Sequence, residues 1–233
     1  MSELLRFSEY TLQEIALTFM AIVYLIRLIW LFRFKVGQDR QPPTGPPGTT
    51  PRKAIIWSWA NVAMPWAMES TRTKAFTYAQ FVIFHLGVTV AIALSFVIPY
   101  APRWLELPGV IPAGQTIVGA AFFVGVLRII RRTSDKHMRA ISSPDDYFSL
   151  ILLTVWFFFA ILAVPNNTQN GEGIMVAYFI LTGFFLIYVP FSKISHYLYY
   201  PFTRYYLGRT LGHRGAYPVK HVAAPRKQTP AVS

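Results

Sequence analysis

The chain has 233 residues, of which 54% are hydrophobic and only 14% are charged, whereas a soluble globular protein carries about 25% charged residues. Its formal net charge of +12 would favour nucleic acid in a soluble protein, but the basic residues flank apolar stretches and favour anionic headgroups, acidic cofactor groups or a cytoplasmic protein. The absence of cysteine excludes disulfides, thiolate-bound iron–sulfur clusters and covalently attached c-type haem within the chain.

Five apolar stretches predict an all-α membrane protein, because about 20 residues of helix are needed to cross a bilayer. Arg27 interrupts the first stretch close to one end, and Pro190 predicts a kink in the fifth. A mixed-charge N-terminus without a small-residue cleavage site indicates a retained first helix rather than a signal peptide. The predicted spans are residues 15–34, 76–99, 112–130, 147–164 and 174–199.

The short loops predict the orientation of the bundle, because loops rich in Lys and Arg stay in the cytoplasm. The second loop has Arg103 against Glu106, and the fourth has Glu172 and no basic residue. We therefore expect the N-terminus outside and the C-terminus in the cytoplasm. The basic residues of the first loop, the third loop and the tail are Lys35, Arg40, Arg52, Lys53, Arg72, Lys74, Arg131, Arg132, Lys136, Arg139, Arg204, Arg209, Arg214, Lys220, Arg226 and Lys227.

We expect residues 1–210 to form the transmembrane bundle and residues 211–233 to form a basic cytoplasmic tail, mobile or ordered only on a partner. In the first loop, residues 41–51 are rich in Pro, Gly and Thr and predict an extended linker. Residues 54–68 are apolar and aromatic, but they are too short to span and are interrupted by Pro65. They predict an interfacial segment with tryptophans at headgroup depth; a loop packed on the bundle is the alternative.

Two of the five histidines, His85 and His196, lie within apolar helices, where an ionisable residue indicates function. The other three lie in a loop or the tail and are interpreted as solvated. His85 lies about nine residues into its helix, roughly 13 Å deep, and His196 lies near the same cytoplasmic end of the fifth helix. A matched depth on two helices is what a haem b with two imidazole ligands requires. The alternative for each is a neutral imidazole hydrogen-bonded to a neighbouring helix.

Three cations near the predicted cytoplasmic surface, Arg72, Lys74 and Lys193, are candidates to bind the haem propionates. Gly87 either lets a macrocycle approach the backbone or packs against a neighbouring helix. Several further polar residues are positions for quinone contact, but interfacial anchoring explains them as well, and we assign none of them to a quinone. They are Tyr100, Arg103, Trp104, Arg128, Asp146 and Tyr147.

Residues 189–196, with the sequence VPFSKISH, resemble the end of the fifth helix in the respiratory nitrate reductase gamma subunit family. Residues 84–87, FHLG, are similar to the ligand motif of that family in helix two, and residues 131–146 are similar where helices three and four join. The resemblance covers about residues 12–210 and implies that His85 and His196 bind haem. By size the chain looks more like the anchors of heterodisulfide-reductase-like complexes, such as the sulfite-reduction-associated complex and the high-molecular-weight cytochrome complex.

The chain departs from the two-haem members of that family at both ligands of the outer haem. Ser95 stands where they carry a second histidine, ten residues after His85. Tyr178 stands 18 residues before His196, which is five helical turns away on the same face. The paired loss implies a member with one haem, in the inner leaflet, and puts a conventional quinol site beside an outer haem in doubt.

The expected function is that of a cytochrome b subunit, non-catalytic in itself, of a respiratory oxidoreductase complex in the prokaryotic cytoplasmic membrane. It would pass electrons between the quinone pool, menaquinone or another quinone, and a cytoplasmic iron–sulfur subunit. Other membrane subunits are expected partners, and nucleic acid is not. The alternative is an anchor subunit without a cofactor. A carrier or channel is disfavoured, because the spans contain few polar residues and no acidic residue at mid-depth.

Overall fold

The structure is a computed structural model that describes residues 1–35, 37, 44–45, 50–67 and 69–217. Within these residues it consists of helices and the turns between them, with no β-strand. In chain order the helices are α1 (Glu3–Arg33), α2 (Pro51–Ala60), α3 (Glu69–Arg72), α4 (Ala75–Tyr100), α5 (Val110–Ser134), α6 (Lys136–Ala140), α7 (Pro144–Ala163), α8 (Gly173–Tyr188) and α9 (His196–His213).

Within the described residues, five helices are long and apolar enough to cross a membrane, which confirms the predicted number of spans. They are α1, α4, α5, α7, and α8 together with the turn that follows it. This is the architecture of a multi-pass membrane protein, since each helix satisfies its own backbone hydrogen bonds. The direction in which the bundle crosses the membrane stays a prediction.

Two spanning helices, α1 and α7, begin earlier than their apolar stretches, because polar residues cap their N-termini. α1 begins at Glu3 rather than at residue 15, and the Ser2 side chain accepts a hydrogen bond from the Leu5 N–H at 3.2 Å. α7 begins at Pro144, where Ser143 and Asp146 form a capping box. Hydropathy alone places a helix end at the last apolar residue and misses these polar first turns.

The fifth predicted span is divided in two. α8 ends at Tyr188, two short 3₁₀ turns follow at Val189–Phe191 and Lys193–Ser195, and α9 begins at His196. Pro190 accounts for the break, because its ring clashes with the carbonyl of the preceding turn and it has no N–H to donate. The prediction of one helix from residue 174 to 199 with a kink is therefore corrected to two helices joined by a non-α segment.

The chain forms two compact units. The first unit comprises residues 1–36 and 76–198, and the second comprises residues 37–75 and 199–233, so that α9 begins in the first and continues in the second. The buried core of the first unit lies among α4, α5, α7 and α8, with Phe157, Tyr178 and Phe179 fully buried. Trp156 stacks on Tyr178 and donates its indole N–H to Thr182 Oγ1 at 2.9 Å, so these buried polar atoms are paired.

Small residues bring α4 and α5 into close contact. A Cβ atom built on Gly87 would stand 2.1 Å from the Cβ of Ala121, which is closer than non-bonded carbon atoms approach. Ala121 is fully buried and its backbone is also near. Of the two interpretations of Gly87, the structure therefore supports helix packing.

The second unit pairs α2 with the later part of α9. Gly208 and Gly212 let the backbone of α9 approach Ile55 and Ala54, since a Cβ on Gly208 would stand 2.6 Å from the Ile55 Cα. The Trp59 indole N–H donates to the Pro201 carbonyl at 2.9 Å. α9 was not predicted, because its sequence mixes tyrosine, arginine and glycine without an apolar period.

The predicted interfacial segment 54–68 forms most of α2 and the turns after it, up to Ala67. Trp66 is 64% exposed, and the position of the segment at a membrane surface stays a prediction. Residue 68, most of the predicted linker 41–51 and the tail from residue 218 lie outside the described residues.

We expect Gly87→Ala to destabilise the first unit by about 1–3 kcal/mol, because the new methyl group overlaps Ala121 and the two helices must move apart. Gly119→Ala is the matched control, since nothing lies within 4 Å of a Cβ at that helical position and alanine favours a helix. Thermal unfolding of the purified protein in detergent measures both. Equal midpoints for the two variants would contradict the close packing of α4 on α5.

Candidate functional site

The structure brings His85 of α4 and His196 of α9 together in the first unit. Their ring centroids are 6.4 Å apart, and the ring planes cross at 79°. The two residues are 111 positions apart in the sequence, so the contact depends on the packing of the bundle and on the break before α9. Both side chains are exposed at the surface of the chain.

Backbone carbonyls define which imidazole nitrogen carries the proton. His85 Nδ1 lies 2.7 Å from the Phe81 carbonyl, and His196 Nδ1 lies 3.0 Å from the Lys193 carbonyl. A carbonyl oxygen only accepts, so Nδ1 is the donor in both residues and Nε2 carries the lone pair. This is the usual arrangement of metal-binding histidines, in which the second nitrogen is oriented by a hydrogen bond.

The spacing of the two rings fits a single metal between them. An imidazole nitrogen binds a metal at about 2.0 Å, and the ring centroid lies about 1.1 Å behind that nitrogen, as follows from ring bonds of about 1.33 Å. Two imidazoles that both bound one metal in this way would therefore have centroids about 6.2 Å apart. The observed 6.4 Å agrees with this value.

The small number of protein ligands limits which metal fits. Within the described residues, no group of three or more His, Cys, Asp or Glu side chains is arranged to hold a metal ion. Zinc sites use three or four protein ligands, so a lone imidazole pair does not suit zinc. Two imidazoles alone would leave the other coordination positions of a metal to ligands from outside the described side chains.

Aromatic residues surround the pair and connect it to α1. The Phe81 ring lies 4.1 Å from the His85 ring, centroid to centroid. On the other side, the hydroxyl groups of Tyr24 and Tyr197 form a hydrogen bond of 2.6 Å, which links α1 to the residue after His196.

Two adjacent carboxylates at the start of α7 hold the segment that leads to His196. Asp145 accepts a hydrogen bond from the Tyr188 hydroxyl, at the end of α8, and another from the Lys193 N–H at 3.3 Å. Asp146 accepts from the Lys193 ammonium at 2.9 Å. We call this group the aspartate clamp: Asp145 and Asp146 with Tyr188 and Lys193. It bridges both ends of the break at Pro190.

The three predicted propionate-binding cations lie in different places. Lys193 is in the first unit, where its ammonium also donates to Ser143 Oγ at 2.8 Å, so it already has two acceptors. Arg72 ends α3, and Lys74 follows in the turn before α4; both are exposed and belong to the second unit. Their contact with a propionate stays a prediction.

The two positions compared with ligands of an outer haem are filled by a closed core. Tyr178 is fully buried and donates to the Ala91 carbonyl at 2.6 Å. Ser95 donates to the Ile92 carbonyl at 2.7 Å in its own helix. The ring of Trp156 stacks on Tyr178, so both polar positions are occupied by packed, hydrogen-bonded side chains.

Sequence reasoning did not assign two residues near the pair. Arg128 of α5 has its guanidinium carbon 5.0 Å from the centre of the Phe84 ring, beside His85, and it had been grouped with interfacial anchors. Asp145 had no role at all. A charge inside an apolar span was a usable signal for Arg128, but Asp145 has no local sequence signal, because its partners are 43 and 48 residues away.

No protein-family model and no curated protein sequence matches this chain. The proposed relationship to membrane cytochromes b therefore depends on the short motifs and on the geometry of the histidine pair.

We expect Asp145→Ala to loosen residues 189–196, because it removes the carboxylate that accepts hydrogen bonds from both sides of the break. Hydrogen bonds to a charged group are worth about 1.5–3 kcal/mol, so amide exchange in this segment should become at least about tenfold faster. Hydrogen–deuterium exchange with mass spectrometry measures this. Glu106→Ala, which removes an exposed acid in the loop before α5, is the control. Unchanged exchange in Asp145→Ala would show that the clamp does not hold the break.

Proposed function

We propose that this chain is a membrane cytochrome b subunit that binds one haem b between His85 and His196. The observation that carries the proposal is the pair of imidazoles, whose ring centroids are 6.4 Å apart. In each ring the Nδ1–H donates to a backbone carbonyl, so Nε2 is left to bind a metal. Bound there, a haem supplies a one-electron carrier between a membrane quinone and an iron–sulfur partner. The subunit is non-catalytic, and the quinone is menaquinone or another of its class.

The residues around the pair bind and orient the two ligands. The Phe81 and Lys193 carbonyls hold the imidazole planes and make Nε2 more basic. The aspartate clamp holds the turn from which His196 projects. An exposed imidazole in an apolar span is costly when it faces hydrocarbon alone, so a macrocycle that covers both rings removes that cost.

One haem per chain is supported by the contrast between the two ends of the bundle. The histidine pair is open at the surface, whereas Tyr178 and Trp156 are packed in a closed core. Electron exchange through this subunit is thus confined to one side of the membrane. With the basic loops in the cytoplasm, that side is the inner leaflet of a prokaryotic cytoplasmic membrane.

The basic second unit supports docking of an acidic cytoplasmic partner. Residues 37–75 and 199–233 carry 11 of the 22 basic residues of the chain and two of its ten acidic residues. An iron–sulfur protein that docks there should bind more weakly as salt increases. Arg72 and Lys74 belong to this unit, and with Lys193 they are proposed contacts of the haem propionates.

The test is a reduced-minus-oxidised absorption spectrum of the purified protein or complex. We expect b-type bands in the wild type and their loss in His85→Ala and in His196→Ala, because one imidazole does not retain a low-spin haem. His137→Ala, which changes an exposed histidine of α6, should keep the bands. A wild type without b-type bands, or variants that assemble and turn over normally without haem, would favour the cofactor-free anchor instead.

The ratio of haem to protein tests the closed core. We expect one haem b per chain by pyridine haemochrome assay against quantitative amino-acid analysis, because buried, hydrogen-bonded Tyr178 and Ser95 stand where a second ligand pair would be needed. A ratio of two would contradict this part of the proposal while leaving the histidine pair intact.

A further inference from the structure

Arg128 is a positive charge within a spanning helix, close to the histidine pair. It lies six residues before the end of α5, or about 9 Å along the helix axis, and its side chain is half-buried. The guanidinium carbon is 5.0 Å from the Phe84 ring centre, and that ring centre is 6.3 Å from the His85 ring centre. Together these distances place the charge within about 11 Å of the imidazole.

Within the described residues, no carboxylate forms an ion pair with Arg128. Its neighbour Arg132, one turn farther along α5, has Asp146 at 3.9 Å and the Ser142 hydroxyl at 2.5 Å. The Phe84 ring gives the guanidinium of Arg128 a cation–π contact but no counter-charge, and a charged side chain within a span is costly unless it is paired. The remaining cost favours an anionic partner that is not one of the described side chains.

Haem b carries two carboxylates on one edge of its ring, so a haem held by His85 and His196 brings such an anion to this region. We propose that Arg128 pairs with a haem propionate. The inference rests on the proposed function, and it deepens it by naming a cation that sequence analysis had not assigned. Arg128 is better available than Lys193, whose ammonium is already bound by Asp146 and Ser143.

The pairing has an electrostatic consequence for the haem. A nearby cation favours the reduced state, because reduction removes one positive charge from the iron. Removal of the guanidinium leaves the propionate uncompensated and favours the oxidised state. A planar guanidinium also binds a carboxylate with two parallel hydrogen bonds, which lysine does not reproduce. A purely structural role of Arg128 would change stability and leave the redox equilibrium alone.

The experiment is a potentiometric titration of the haem in the purified haem-containing protein, with Arg128→Gln, Arg128→Lys and Arg131→Gln. We expect Arg128→Gln to shift the ratio of reduced to oxidised haem about tenfold toward the oxidised form, which is a fall of 59 mV for a one-electron couple. Arg128→Lys, which keeps the positive charge, should lower the haem potential by less than half as much as Arg128→Gln does. Arg131→Gln removes the same charge from an exposed position three residues along α5 and should shift the potential much less.

The outcomes separate this inference from the proposed function. A wild type without b-type haem overturns both. If the wild type contains haem, but the haem potential falls no further in Arg128→Gln than in Arg131→Gln, only the propionate pairing is overturned. That result indicates that Arg128 reaches the lipid headgroups. If Arg128→Gln loses its haem, retention of haem in Arg128→Lys supports the pairing, and loss in both variants overturns it.

Discussion

The break in the backbone between Tyr188 and His196 is the feature on which the candidate site depends. A continuous helix over those eight residues would advance about 12 Å along its axis, whereas α8 ends at Tyr188 and α9 begins at His196. Pro190 stops the helix, two 3₁₀ turns replace it, and a new helix starts with His196 as its first residue. Asp145 and Asp146 then hold the turn, because they bind residues on both sides of the proline. The position of the second imidazole is thus determined by a proline and by two carboxylates on another helix.

The rest of the first unit is arranged around a contrast between its two ends. Toward Glu172, the helices meet in a closed aromatic core in which Trp156, Tyr178 and Thr182 pair all of their polar atoms. Hydrogen bonds from Ser2 hold the pKa of Glu172 below its usual value at that end. Toward Arg132, His85 and His196 lie at the surface, Arg128 contacts the Phe84 ring, and Arg132 pairs with Asp146. A single bundle therefore offers one open site and one closed core, which is the physical basis for proposing one haem and not two.

Much of this arrangement was predictable, and the remainder depended on contacts that a sequence does not display. The five spans follow from hydropathy, because a bilayer requires about 20 apolar residues of helix. The meeting of His85 and His196 follows from depth, since the rise of a helix per residue is constant. α9 escaped prediction because its tyrosines, arginines and glycines have no apolar period, and it packs on α2 through Gly208 and Gly212 instead. The aspartate clamp was not predicted from the sequence, because Asp145 contacts Lys193 only once α7 and α8 pack together. Gly87 had two interpretations until the position of Ala121 decided between them.

Under the proposed function, His85 and His196, whose ring planes cross at 79°, would both hold one haem iron. Electron paramagnetic resonance of the oxidised protein tests it most directly, because the relative orientation of two axial imidazoles controls the anisotropy of low-spin ferric haem. Crossed planes leave two iron d orbitals nearly equal in energy, and we predict a strongly anisotropic signal with one dominant low-field feature. A three-line rhombic signal would contradict the crossed geometry, and a high-spin signal alone would contradict ligation by both histidines.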